Sequence, residues 1–198
     1  MNSASTEVTP RMPLQVLARL RAYKDHPDPP ARVANTVALV VASNQPFYPL
    51  YLHAIVGVSA WPAWITLVTM PLFASIPAVA RRHSLAGRAM LPIVGVANGI
   101  LATKLIGVAT GVELFLLPCV LLATLLFRAT ERAVMVIVLA WPFLAYFVLD
   151  KAIGAPMREF SADEYRSIIA MHAFSVASLL ALIGLLCAPT SSNATSTS

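Results

Sequence analysis

Six apolar runs, each near the length that crosses a bilayer, decide what this chain can fold into. They cover residues 33–58, 61–80, 89–107, 114–127, 133–149 and 167–187. A helix needs about 20 apolar residues to cross a hydrocarbon core of roughly 30 Å. The fourth run is short at those limits and approaches span length when extended to 111–128, with Glu113 at its mouth. Strands of a membrane barrel would alternate apolar and polar positions over about ten residues, and these runs do not. Of the 198 residues, 58% are apolar and 12% charged, against about 45–50% and 25% in a soluble domain. The expectation is therefore an all-α integral membrane bundle of six transmembrane helices over 32–187. It lies between an N-terminal cytoplasmic segment, 1–31, and a flexible cytoplasmic tail, 188–198.

Basic residues set the orientation. The chain carries 14 Lys+Arg and 9 Asp+Glu, a formal net charge of +5. With the N-terminus in the cytoplasm, Arg11, Arg19, Arg21, Lys24, Arg32, Arg81, Arg82, Arg88, Arg128 and Arg132 lie inside. Lys104, Lys151, Arg158 and Arg166 then lie outside. The positive-inside rule thus predicts both termini in the cytoplasm, in a cell inner membrane. Topology accounts for the net charge, and no nucleic-acid partner is expected. Tyr51, Trp61, Trp64 and Tyr165 fall near the outer boundary, where interfacial aromatics belong. In the N-terminal segment, Met12, Val16, Leu17, Leu20 and Tyr23 recur at helical spacing beside Arg19, Arg21 and Lys24. Two readings stand: a short amphipathic helix on the membrane surface, or a solvated, frayed terminus. Residues 25–30, with three prolines, read as a non-helical linker.

Polar residues inside the runs carry what chemistry the sequence offers. His53, Asn98, Lys104, Glu113 and His172 all fall toward the outer half of the bundle. Ionisable groups at such depth face the bundle interior or water. The five are expected to converge on an outward pocket that binds a ligand, with Lys104 and Glu113 close enough to pair across the loop 107–111. The competing reading is a set of interhelical hydrogen bonds plus a snorkelling lysine. Asn44 and Gln45 sit midway along the first run beside Pro46 and Pro49, and eight prolines within the runs predict kinked helices. His53 and His172 at like depth admit bis-imidazole haem; no second signal accompanies them, structural histidines are favoured, and no cofactor is expected. The fourth run has no GxS nucleophile turn, and no HExxH or phosphate-binding glycine loop occurs, so the chain is not expected to be an enzyme or to hold a metal. Cys119 and Cys187 have no metal spacing. Gly95 and Gly99 form GxxxG, and Ala173, Ala177 and Ala181 a small-residue stripe. Both allow close helix approach, within one chain or in a homodimer.

One stretch has a familiar pattern. Gly107-Val108-Ala109-Thr110-Gly111-Val112-Glu113-Leu114-Phe115-Leu116-Leu117-Pro118 precedes an apolar run ending Leu126-Phe127. Arg128-Ala129-Thr130-Glu131-Arg132 then turns into the next helix. This resembles the six-helix membrane anchors joined to bacterial class III adenylyl cyclases, and related anchors before diguanylate cyclases and histidine kinases. The resemblance covers about half the chain in pattern. It implies a sensory or regulatory module with both ends in the cytoplasm and a signalling partner. After Cys187 come Ala188, Pro189 and a Ser/Thr-rich run to Ser198, so no catalytic output is expected from this chain. The alternative function is a small-solute transport component, of the energy-coupling type that binds substrate in six helices.

Overall fold

The computed structural model describes residues 11–188, with side chains over 15–147 and 153–188. Among these residues the fold is helical, without strands. The elements are α1 (Arg11–Lys24), α2 (Pro29–Asn44), α3 (Phe47–Val56), a 3-10 segment (Gly57–Thr69), α4 (Met70–Arg82), α5 (Ser84–Ile106), α6 (Leu116–Leu125), α7 (Arg132–Ala152) and α8 (Ala162–Cys187). Four stretches are long and apolar enough to cross a membrane: Phe47–Arg82, Ser84–Ile106, Ala129–Phe147 and Ala162–Cys187. Val112–Leu125 is a shorter apolar helix. Residues 1–10 and 189–198 lie outside the described residues, as do the side chains of Asp150 and Lys151.

Two local expectations need correction. The linker is shorter than 25–30, because Pro29 and Pro30 open α2. Proline suits the first turn of a helix, where its missing N–H has no partner to lose. The first apolar run is also not one helix: α2 ends at Asn44 and α3 starts at Phe47, with Gln45 and Pro46 between them. At Gly57 the backbone takes φ +65°, a left-handed geometry that glycine adopts without a side-chain clash. The chain reverses there. Gln45 then meets Thr69 and His26 meets Ala80, the pairing of an antiparallel hairpin centred on Gly57. The returning limb of that hairpin begins as 13 residues of 3-10 helix. Pro62 removes a donor within it, and Thr66 and Thr69 return their hydroxyls to the carbonyls three residues back.

α5 is the central helix, packing on α2, α4, α6, α7 and the 3-10 segment. α8 packs on α2, α3 and α6, so the last helix neighbours the α2–α3 pair and the bundle closes around α5. Close approach is set by glycine at two places. A Cβ on Gly87 would lie 2.5 Å from Ala80 Cβ, and one on Gly95 would lie 2.7 Å from Cys119 Sγ. The GxxxG face is thereby packed on α6 of the same chain. A large core at the Arg88 end joins Val37, Phe73, Ile76, Leu91, Leu122 and Leu126. A second, at the Gly107 end, joins Leu52, Val56, Leu105, Ile106 and Ile168. α1 is tethered to the Arg88 end: Asn35 Nδ2 donates to Lys24 O, Tyr23 Oη to Ala74 O, and Arg81 to the Ala22 and Tyr23 carbonyls. Val16, Leu17 and Leu20 on α1 stay exposed.

Candidate functional site

Between the α2–α3 break and α8 lies a cavity of about 910 Å³. Ligand sites run to roughly 300–1,000 Å³, so this one is large. Its walls are apolar and aromatic: Val40 and Val41 from α2, Phe47, Tyr48 and Tyr51 from α3, Phe115 ahead of α6, and Met171, Phe174, Leu179 and Leu182 from α8. Its deep side is polar. Gln45, Thr66 and Asn98 line it, with Gly99 and Ala102 of α5 giving it depth. No ionisable acid, base or histidine lines it.

The polar side is a small network with loose ends. Gln45 Nε2 donates to Thr69 Oγ1 at 2.7 Å and approaches Asn98 Oδ1 at 3.4 Å. The Thr69 hydroxyl is 2.7 Å from Asn98 Oδ1 and 2.9 Å from Thr66 O, and its single proton is shared between them. Gln45 is only 7% exposed, yet its Oε1 has no hydrogen-bond partner. Asn98 uses its Oδ1 alone, leaving both N–H donors of Nδ2 without a partner among the described residues. At the α2–α3 junction Gln45 and Pro46 both keep αR dihedrals, and Gln45 N–H still bonds Val41 O, so Gln45 stays on the helical face that meets Thr69 and Asn98.

Behind the aromatic wall His172 is fully buried. Its Nδ1 is 2.8 Å from Thr110 O and its Nε2 is 3.1 Å from Tyr48 Oη. One neutral tautomer satisfies both contacts: Nδ1–H donates to the carbonyl, and Nε2 accepts from the phenol. The imidazole stacks on Tyr48, with centroids 5.7 Å apart, and meets the edge of Phe115 at 5.5 Å. His172 therefore ties α8 to α3 and to the loop before α6. It braces the wall that Tyr48 and Phe115 present to the cavity. With both nitrogens engaged, its bonding is that of a structural histidine.

The other expected site residues have different surroundings. Asn98 lines the cavity; His53, Lys104, Glu113 and His172 do not. His53 is exposed on α3, while both ring nitrogens of His172 are engaged by Thr110 and Tyr48. Lys104 Nζ donates to the carbonyls of Ile153 and Ala155, at 3.0 and 2.9 Å. It fastens the loop before α8, which also returns Met157 N–H to Lys104 O. Glu113 is half-buried in the short segment leading into α6. Gln45 and Tyr48 also line the cavity and Thr69 joins its polar network, although the sequence pattern does not group them with Asn98. The proline pair beside Asn44 and Gln45 was the available signal.

At the opposite end of the bundle lies a cluster of paired charges. Arg88 is 2% exposed. Its guanidinium makes a bidentate pair with Glu131, Nη1 to Oε2 at 2.7 Å and Nη2 to Oε1 at 2.6 Å, and also donates to Leu126 O. Its Nε lies 3.4 Å from Asp28 Oδ2, an ion-pair contact without hydrogen-bond geometry. Asp28 further accepts from Arg128 and from Ser84. Glu131 also accepts the Arg128 backbone N–H. Four chain segments are thus joined: the starts of α2 and α5, the end of α6 and the turn into α7. Among the described residues, no group of three or more metal-ligating side chains is present. Comparison of the chain with protein-family models, curated proteins and solved structures finds no match.

Proposed function

We propose that this chain is a six-span, non-catalytic membrane module that binds a small molecule inside the bilayer and reports its presence by a shift of helices, a sensory or regulatory role. The observation that carries this reading is the cavity. It is large and apolar-walled, it lies between the first and last spans, and its deep side is an amide network with unused hydrogen-bonding capacity. The hairpin at Gly57 supports counting α2–α3 and 57–82 as separate spans. With α5, 112–125, α7 and α8 they make six. Basic residues gathered at the Arg88 end support placing that end, and both termini, on the cytoplasmic face of an inner membrane. The charged cluster there joins the ends of four segments, and this supports transmission to a cytoplasmic or membrane signalling partner.

The test is native mass spectrometry of the protein released from its own membranes. A bound small molecule is expected on the wild type and not on Ser175→Trp, whose side chain would fill the cavity mouth. The same adducts on both proteins, or none on either, would defeat the reading.

A second reading, a solute-transport component, draws on the α2–α3 break at the cavity, since discontinuous helices form the binding sites of many transporters. Co-purification separates the two: ATPase subunits favour transport, and a kinase or cyclase partner favours sensing.

A further inference from the structure

We infer that the cavity takes a neutral, hydroxyl-bearing lipid directly from the bilayer, admitted sideways between α3 and α8 and held at its polar end by the amides of Asn44, Gln45 and Asn98. The inference rests on the cavity being a binding site and specifies what it binds.

The position of the mouth comes first. Ser43, Asn44, Phe47 and Tyr51 on one side, and Phe174 and Ser178 on the other, line the cavity and are exposed. Phe174 is 75% exposed. Residues 174–178 are the central turn of the 26-residue α8, so each end of that helix is about 15–20 Å away at 1.5 Å per residue. Half of a hydrocarbon core is about 15 Å. The mouth therefore opens on acyl chains near the midplane, out of reach of either aqueous phase.

Charge comes second. No acidic, basic or histidine side chain lines the cavity. The two cations that flank Asn98 on α5 are engaged elsewhere, Lys104 by the Ile153 and Ala155 carbonyls and Arg88 by Glu131. A phosphate or ammonium group brought to this depth would have no counter-charge, and an unpaired charge there is costly. The occupant is accordingly neutral.

Hydrogen bonding comes third. Asn44 lines the mouth and makes no side-chain hydrogen bond among the described residues. Gln45 Oε1 is buried without a donor, and the half-buried Asn98 has no acceptor for its Nδ2 among the described residues. In an apolar surrounding each such group carries a desolvation cost that only a partner removes. The unmet needs include both a donor and an acceptor. Turning the Asn98 amide over exchanges the group left free and still leaves one edge of it unpaired. A hydroxyl serves both needs; a quinone or ketone, which only accepts, leaves Gln45 Oε1 unmet. The lipid class is that of diacylglycerols and long-chain or isoprenoid alcohols.

The full chain in phosphatidylcholine nanodiscs, photolabelled with a long-chain fatty alcohol bearing a diazirine, tests this. Saturable adducts are expected on peptides of α3 and α8, displaced by dioleoylglycerol. Asn98→Leu should weaken labelling about five- to tenfold, the size of one or two hydrogen bonds, and Ser175→Trp should abolish it. Circular dichroism and gel filtration confirm that each variant is folded. Unchanged labelling in both variants overturns the inference. Displacement by phosphatidylglycerol or a long-chain quinone as strong as by dioleoylglycerol overturns the hydroxyl-lipid class and leaves the cavity as a binding site. If no adduct forms on α3 or α8 while native mass spectrometry still finds a Ser175→Trp-sensitive adduct, the lipid class alone falls. If both experiments are empty, the binding reading falls with it.

Discussion

At the Arg88 end, Arg88 meets Glu131 through two short hydrogen bonds and Leu126 through a third, and Asp28 collects Arg88, Arg128 and Ser84. At the cavity, Gln45, Thr69 and Asn98 make a chain of neutral contacts that stops short, with an acceptor on one amide and two donors on the other unused. Both regions bury polar groups in an apolar bundle. In the first, opposite charges pair and join four chain segments, with Arg88 Nε held only by its ion-pair contact to Asp28; in the second, neutral amides keep hydrogen-bonding groups unpaired among the described residues. A charge-paired cluster away from any cavity serves the scaffold, whereas unpaired amide groups beside an open cavity leave room for a ligand. The difference makes opposite predictions for polar-to-apolar substitutions.

The largest effect is expected from Glu131→Ala. It leaves the Arg88 guanidinium buried opposite no bidentate partner, and breaking a buried pair on one side costs about 3–5 kcal/mol. Thermal unfolding in nanodiscs should show a large fall in midpoint. The double variant Arg88→Met/Glu131→Leu should recover much of that loss, because removing both charges removes the orphan. A single variant as stable as the wild type would mean that water or lipid headgroups satisfy Arg88 as well as Glu131 does. The two ends would then no longer differ in kind.

His172→Phe should come next. The ring volume is kept and the stacking on Tyr48 and Phe115 continues, but Thr110 O and Tyr48 Oη lose their partner. Unsatisfied buried groups of that kind cost about 1–3 kcal/mol. Because Tyr48 and Phe115 form the cavity wall, photolabelling should fall together with stability. Loss of labelling at unchanged stability would place His172 in the site itself and not behind it.

Much of this contrast is invisible in the one-dimensional pattern, for identifiable reasons. The apolar runs announce spanning helices because length and composition suffice for that. Arg88 shows in the sequence only as one of several arginines at a loop. Its partners lie 43 residues away at Glu131 and in the 25–30 stretch at Asp28, and nothing in local spacing couples them. His172 reads as an ionisable group at pocket depth; its role is set by Tyr48, 124 residues distant, and by the bundle closing α3 onto α8. The prolines at 46 and 49 mark a kink. That Gln45 faces Thr69 depends on the reversal at Gly57, where only glycine's tolerance of positive φ gives a hint. The 3-10 path of 57–69 has no signature beyond Pro62. Lys104 and Glu113 are neighbours through a short loop, but Lys104 finds the carbonyls of Ile153 and Ala155, which a pattern of side chains does not display.

The smallest effect on stability, and the sharpest separation of the two regions, is expected from Asn44→Leu. Asn44 is exposed at the cavity mouth and makes no side-chain hydrogen bond among the described residues. Replacing it leaves no buried partner stranded, so the ligand-free protein should change by no more than about 0.5 kcal/mol, the range of substitutions that touch no packed feature. Leucine is also cheaper than asparagine against acyl chains, which favours a slight rise in the unfolding midpoint. Binding should move the other way, with a few-fold fall in labelling by the diazirine alcohol as one amide is lost from the polar end of the site. Stability and binding would then respond with opposite signs to one substitution, the behaviour of a group kept for a ligand. A fall in midpoint comparable to that of Glu131→Ala, with labelling unchanged, would show that Asn44 completes the scaffold as Glu131 does and would erase the distinction between the two regions.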